Sequence, residues 1–190
     1  MRIKDEAKQK ALFKATIKVV NKIGFASSSV SQIAKEAKVS PATIYVYYKD
    51  KEDLLISTYT EIKIQMSEAL IKGFDESLPI RDIVFNVWVN GFEYVSSHQD
   101  QLSFIEQFAH SPYSDMVDKA KFEKNFEVLI KIFQRGIEQK IIKNVEMELL
   151  SMFIFRPILN LSNQRICTGF ELSRKNIEKA FNLAWDAIKF

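Results

Sequence analysis

Apolar residues return at three- and four-residue steps along almost the whole chain, and that period admits only helices. Leu12, Ala15, Val19 and Ile23 form the first such stripe, with Gly24 placed to cap it. "SSVSQIAKEA" follows, where Ser29 and Gln32 make the S-x-x-Q box that opens a helix with Val30, Ile33, Ala34 and Ala37 on one face. "KVS" interrupts the pattern, and Ser40 with Pro41 supplies an N-cap and a proline at the first helical position. Asp50 caps once more, with Glu52 and Asp53 where a helix dipole favours negative charge. A long helix carrying Leu54, Leu55, Tyr59, Ile62 and Met66 then runs to about Gly73.

Downstream the chain becomes richer in phenylalanine. Pro79 opens a helix with Ile80, Ile83, Val84, Val87, Trp88, Gly91, Phe92 and Val95 on one face. Phe85 and Val89 lie towards the other side, so burial almost all round is expected. Further helices are predicted at about 102–109, 113–140, 145–166 and 173–190. With five Gly and four Pro in 190 residues, tight turns are too few for a sandwich or barrel. The predicted class is all-α.

Charge is divided unevenly. Residues 1–53 hold 11 Lys/Arg against 6 Asp/Glu, a balance of +5, whereas residues 54–190 hold 16 against 18, a balance of −2. A solvated lysine face and a module that meets a polyanion would both produce this, and charge alone leaves the two open. One cysteine, Cys167, cannot form an internal disulfide and suits a reducing cytoplasm. The start "MRIKDEAKQK" has no apolar stretch behind it, and "LLSMFIFRPIL" is short and carries Arg156 and Pro157, so neither a signal peptide nor a membrane span is expected.

The helix at 29–37, the turn at Lys38–Val39 and the short helix at 40–47 have the form of a helix-turn-helix, whose second helix enters the major groove of DNA. Three tyrosines, Tyr45, Tyr47 and Tyr48, crowd the end of that helix. Phenols at Tyr45 and Tyr47 facing solvent could donate to phosphate oxygens, while Tyr48 is expected to pack inward with Ile33 and Ile44. Lys51 adds a cation beside the exposed N–H groups of the next helix.

Gly24-Phe25, "SSVSQIA", Val39-Ser40 and "YVYYKDKEDLL", in that order over residues 8–56, resemble the TetR/AcrR family of bacterial transcriptional regulators. The resemblance implies a three-helix DNA-binding domain at 1–50 and a helical effector-binding and dimerisation domain at 51–190. It places Ser29, Tyr45, Tyr47 and Lys51 at phosphate contacts, and Ser31, Pro41, Ala42 and Thr43 opposite bases. It also implies a homodimer through the last two helices, with Leu149, Leu150, Phe153, Leu159, Phe181, Leu183, Ala184 and Trp185 at the seam. A cavity for a small apolar or amphipathic effector is implied in the C-terminal helices, drawing on Trp88, Phe92, Phe104, Phe108, Phe126, Phe153 and Arg156. The chain departs from the family at Lys38 and Ala42, where glycine is common, and at Tyr48, where Phe is usual. Lys38 would need a left-handed backbone, which costs about 1 kcal/mol.

Enzymatic chemistry finds no support in the sequence. There is no H-E-x-x-H, no glycine-rich phosphate loop and no cysteine-rich metal pattern, and His98 and His110 are too far apart for one helical turn. No catalytic residue, metal or cofactor is therefore expected. The function expected is a DNA-binding regulator, a repressor released by its effector; the alternative is a dimeric regulator controlled by a protein partner or without a ligand. Arg156 has two readings: an anchor for an anionic effector group, or a surface cation paired with an acid such as Glu106.

Overall fold

The computed structural model describes residues 5–118, 120–163 and 166–190. They form ten α-helices: α1 (Glu6–Ser27), α2 (Val30–Glu36), α3 (Pro41–Tyr47), α4 (Lys51–Leu70), α5 (Ile80–Ser97), α6 (Gln99–Ala109), α7 (Ala120–Glu138), α8 (Met147–Ile154), α9 (Arg156–Ser162) and α10 (Arg174–Ile188). A single 3₁₀ turn covers Ser114–Met116. Among the described residues there is no strand, only one isolated bridge between Ile142 and Lys189. The chain gathers into two compact units. One comprises residues up to Lys63 with Asp100–Lys121; the other comprises Ile64–Gln99 with Phe122–Phe190.

In the first unit a small core joins Leu12, Ala15 and Val19 of α1 to Ile33 and Ala34 of α2, Ile44 of α3, Tyr48 and Leu54. Burying a side chain of this size is worth roughly 1.5–3 kcal/mol. That gain holds three short helices which alone would be marginal. Tyr48 is buried with Ile33 and Ile44, as its position predicted. A second core unites Ile17, Val20 and Phe25 with Leu55 and Ile62 of α4 and Phe104 and Phe108 of α6.

Caps set the turns between these helices. The box at Ser29 and Gln32 is complete, and Asp50 Oδ1 accepts the Asp53 N–H at 2.8 Å. Gly24 has φ 79°, but helical turns resume and α1 ends at Ser27, so the glycine makes a kink where a cap was expected. Lys38 adopts φ 57°, the left-handed backbone its place in the turn demanded. The Ser40 hydroxyl does not cap α3; it bonds the Thr43 hydroxyl at 2.9 Å instead.

In the second unit α5 buries the face read from its sequence, Ile80, Ile83, Val84, Val87, Trp88, Gly91, Phe92 and Val95. Gly91 lets α9 approach, since a Cβ there would stand 2.9 Å from Ile158 Cδ1. Phe181 of α10 packs against Phe85, Trp88 and Trp185. Two predicted helices came out shorter. The one expected at 113–140 begins at Ala120, because Ser114 and Asp115 favour a local turn. The one expected at 145–166 breaks at Phe155, because Pro157 has no N–H to continue the ladder.

Candidate nucleic-acid interface

α3 owes its orientation to two buried residues. Ile44 and Tyr48 face the core, which turns Pro41, Ala42, Tyr45 and Val46 outward. Tyr45 is 58% exposed and Val46 43% exposed. Thr43 is half-buried, with its hydroxyl on Ser40. On α2 Ser31 is exposed, whereas half-buried Ser29 is committed to its capping box. Lys35, Lys38 and Lys49 surround this face and are all exposed, giving it the cationic border that a phosphate backbone attracts.

Tyr47 and Lys51 are employed inside the chain. The Tyr47 hydroxyl accepts the Asp5 N–H at 3.0 Å and donates to the Asp5 carbonyl at 3.2 Å. The Lys51 ammonium donates to the Phe25 carbonyl at 3.0 Å. Together the two side chains hold α1 near both of its ends. An ammonium has two further donors, but a phenol has only one. Sequence reasoning missed both links, because nothing local pairs residue 47 with residue 5. It also passed over Val46, whose spacing of four from Ala42 was the available signal.

Ionisable groups here follow their surroundings. Burial pushes the Tyr48 phenol above its ordinary range, helped by the negative charges of Asp53 and Glu61. Asp5 is held below the ordinary carboxylate range, chiefly by the Lys8 N–H it accepts as an N-cap, then by the Lys8 side chain. Among the described residues no three of His, Cys, Asp and Glu gather as metal ligands would. Nor is any described helix long and apolar enough to cross a membrane.

The seven residues implied for an effector cavity do not share one location. Phe104 and Phe108 lie in the first unit's core with Phe25 and Tyr59. Trp88 and Phe92 are buried in the second unit, where Trp88 Nε1 donates to the Ile177 carbonyl at 3.2 Å. Phe126 packs beside Leu70, Val87 and Leu129. Phe153 and Arg156 are exposed, and for Arg156 this is the surface setting of its two readings. Of the implied dimer residues, Leu150, Phe181, Ala184 and Trp185 are buried within the chain and offer no free surface; Leu159 is half-buried. Leu149, Phe153 and Leu183 are exposed.

A three-helix unit that displays α3 outward within a cationic border defines a helix-turn-helix DNA-binding regulator. Residues 12–58 match the family described as bacterial regulatory proteins, tetR family, and residues 79–189 match the tetracyclin repressor-like C-terminal domain. The chain belongs to the TetR family of transcriptional regulators. A TetR family transcription regulator from Marinobacter aquaeolei VT8 is 34% identical and superposes with a TM-score of 0.90, over 100% of this chain and 99% of that one. An HTH-type transcriptional regulator of Haemophilus influenzae is 25% identical over 178 residues, 94% of each chain. The fold is also that of FadR from Bacillus subtilis, solved in complex with stearoyl-CoA, with a TM-score of 0.72 at 21% identity over 94% of this chain and 96% of that one. These proteins are transcriptional regulators, not enzymes.

Proposed function

We propose that the protein is a cytoplasmic homodimeric repressor that leaves its operator when a small apolar or amphipathic effector binds. Residues 1–50 serve the DNA and residues 51–190 serve the effector and the dimer. The observation that carries the reading is the outward face of α3, opposite the buried pair Ile44 and Tyr48. Ser31, Pro41, Ala42 and Thr43 face bases, and Tyr45 donates to a phosphate. Ser29 and Lys51 position the reading helix and keep their remaining donors for the backbone. Tyr47 reaches a phosphate only by releasing the Asp5 carbonyl.

A dimer seam is supported by Leu149, Met152 and Phe153 on α8 and by Leu183 on α10, the last 75% exposed. Large apolar side chains on two helices that pack against each other mark an association surface. An amphipathic effector is supported by the fold shared with FadR, whose complex holds stearoyl-CoA. Effector and operator then compete through coupling of about 1–3 kcal/mol.

The test has two arms. Gel-shift titration with genomic fragments should give specific retention that stearoyl-CoA or a free fatty acid reverses, with binding confirmed by calorimetry. Retention that survives every acyl ligand would remove the effector half of the reading. Sedimentation should return dimers for the native chain and folded monomers for Phe153→Glu with Leu183→Glu. A double variant that stays dimeric places the seam elsewhere.

A further inference from the structure

We propose that α3 reads its operator through the C5-methyl groups of thymine, so that each half-site presents T·A pairs to Ala42, Thr43 and Val46. The inference rests on the DNA-reading role given to α3 above and adds the chemistry of what it reads. The helix has the sequence "PATIYVY", with no Arg, Lys, Asn or Gln, the side chains that make two-point contacts to guanine or adenine. Its outward face instead offers a proline ring, the methyl of Ala42, the two methyls of Val46 and the ring of Tyr45. Ala42 and Val46 stand four apart, so their methyls lie on one side of the helix.

The polar groups nearby are partly spent. The Thr43 hydroxyl is bonded to Ser40 at 2.9 Å, which leaves its methyl as the group it offers without breaking that bond. Gln32, exposed on α2, would be the natural adenine reader. Both lone pairs of its Oε1 are taken, by the Ser29 N–H and the Ser29 hydroxyl, each at 2.8 Å. It therefore lacks the acceptor half of a two-point contact.

In the major groove the thymine methyl is the one apolar group that distinguishes a base pair, and it is what an apolar helix face can recognise. The occupant of this face is DNA, because the surrounding residues 1–53 carry a balance of +5. A buried methyl is worth about fourfold in affinity, and two recognition helices multiply the effect.

The experiment uses the full chain and a duplex it selects from a random-sequence pool. The same duplex is then made with deoxyuridine for thymidine, and separately with 7-deazapurines, which lack the N7 acceptor. Uracil should weaken binding about tenfold or more across two half-sites, and the 7-deazapurines should change it less than about twofold. Val46→Ala, a change at an exposed position, should weaken binding to the thymine duplex about fourfold or less and shrink the uracil penalty. Equal affinity for thymine and uracil duplexes overturns the proposal, as does a deazapurine loss larger than the uracil loss. A pool that yields no enriched duplex overturns sequence-specific reading itself, and this inference with it.

Discussion

The two compact units are held by different kinds of contact. In the first, polar side chains fasten backbone: Tyr47 on Asp5, Lys51 on Phe25, Ser29 with Gln32, and Asp50 on Asp53. In the second, rings fasten rings, with Phe181 within 6.0 Å of Phe85, Trp88 and Trp185. Hydrogen bonds are directional, so the first unit's links specify where each short helix begins and how it faces. Ring packing is less particular about direction and supplies more stability per residue. A surface that must meet DNA in one register benefits from the former, and a bulkier helical unit from the latter.

The contrast breaks most visibly at Phe181, which has no exposed surface. Phe181→Ala should destabilise the second unit by about 3–5 kcal/mol, measured by urea denaturation. Ser29→Ala removes the capping box and should cost about 1 kcal/mol, with faster amide exchange at the start of α2. Equal costs for these two variants would abolish the distinction between the units. Tyr47→Phe keeps the ring and loses both bonds to Asp5, an exposed pair; about 0.5–1 kcal/mol is expected, with fraying at the start of α1. Lys38→Gly relieves the left-handed backbone and should stabilise by about 0.5 kcal/mol, after the extra unfolded freedom of glycine is counted.

A smaller effect depends on pH. The Tyr48 pKa is raised in the folded chain, so the folded state holds that proton more tightly than the unfolded one. Its stabilising contribution is fully present below about pH 10 and is lost as pH rises through the raised value. Tyr48→Phe should keep the core and remove that part of the alkaline loss in a melting series. An unchanged alkaline slope would assign it to other groups, such as Tyr59, whose phenol burial also raises.

Where the links are short in sequence they were legible. The Ser29–Gln32 box, the left-handed Lys38, the burial of Tyr48 and the inner face of α5 all follow from residues within a few positions of one another. Links that span the chain were not legible: Tyr47 to Asp5 is a separation of 42. The division of aromatics between cores was equally hidden. Phe104 and Phe108 read like Trp88 and Phe92 in composition, yet they join α1 and α4, while the others join α10 and its approach. Periodicity says that a ring is buried and leaves open against which neighbour. Trp185 shows the same gap. It was expected at a seam between chains, but at 6% exposure it belongs to its own chain's interior.

The grip on α1 at both ends makes that helix a gauge of fixed length. Tyr47 holds it at Asp5 and Lys51 holds it at Phe25, and both grips come from the element that turns towards DNA. Adding or deleting one residue between them would shift one end by about 1.5 Å and rotate it by about 100°. One grip would then have to open, whatever residue was chosen. Substitutions along the solvent side of α1 should therefore pass freely, whereas single insertions and deletions should not. In a library of both, the boundary between tolerated and lost function would be drawn by register and not by chemistry.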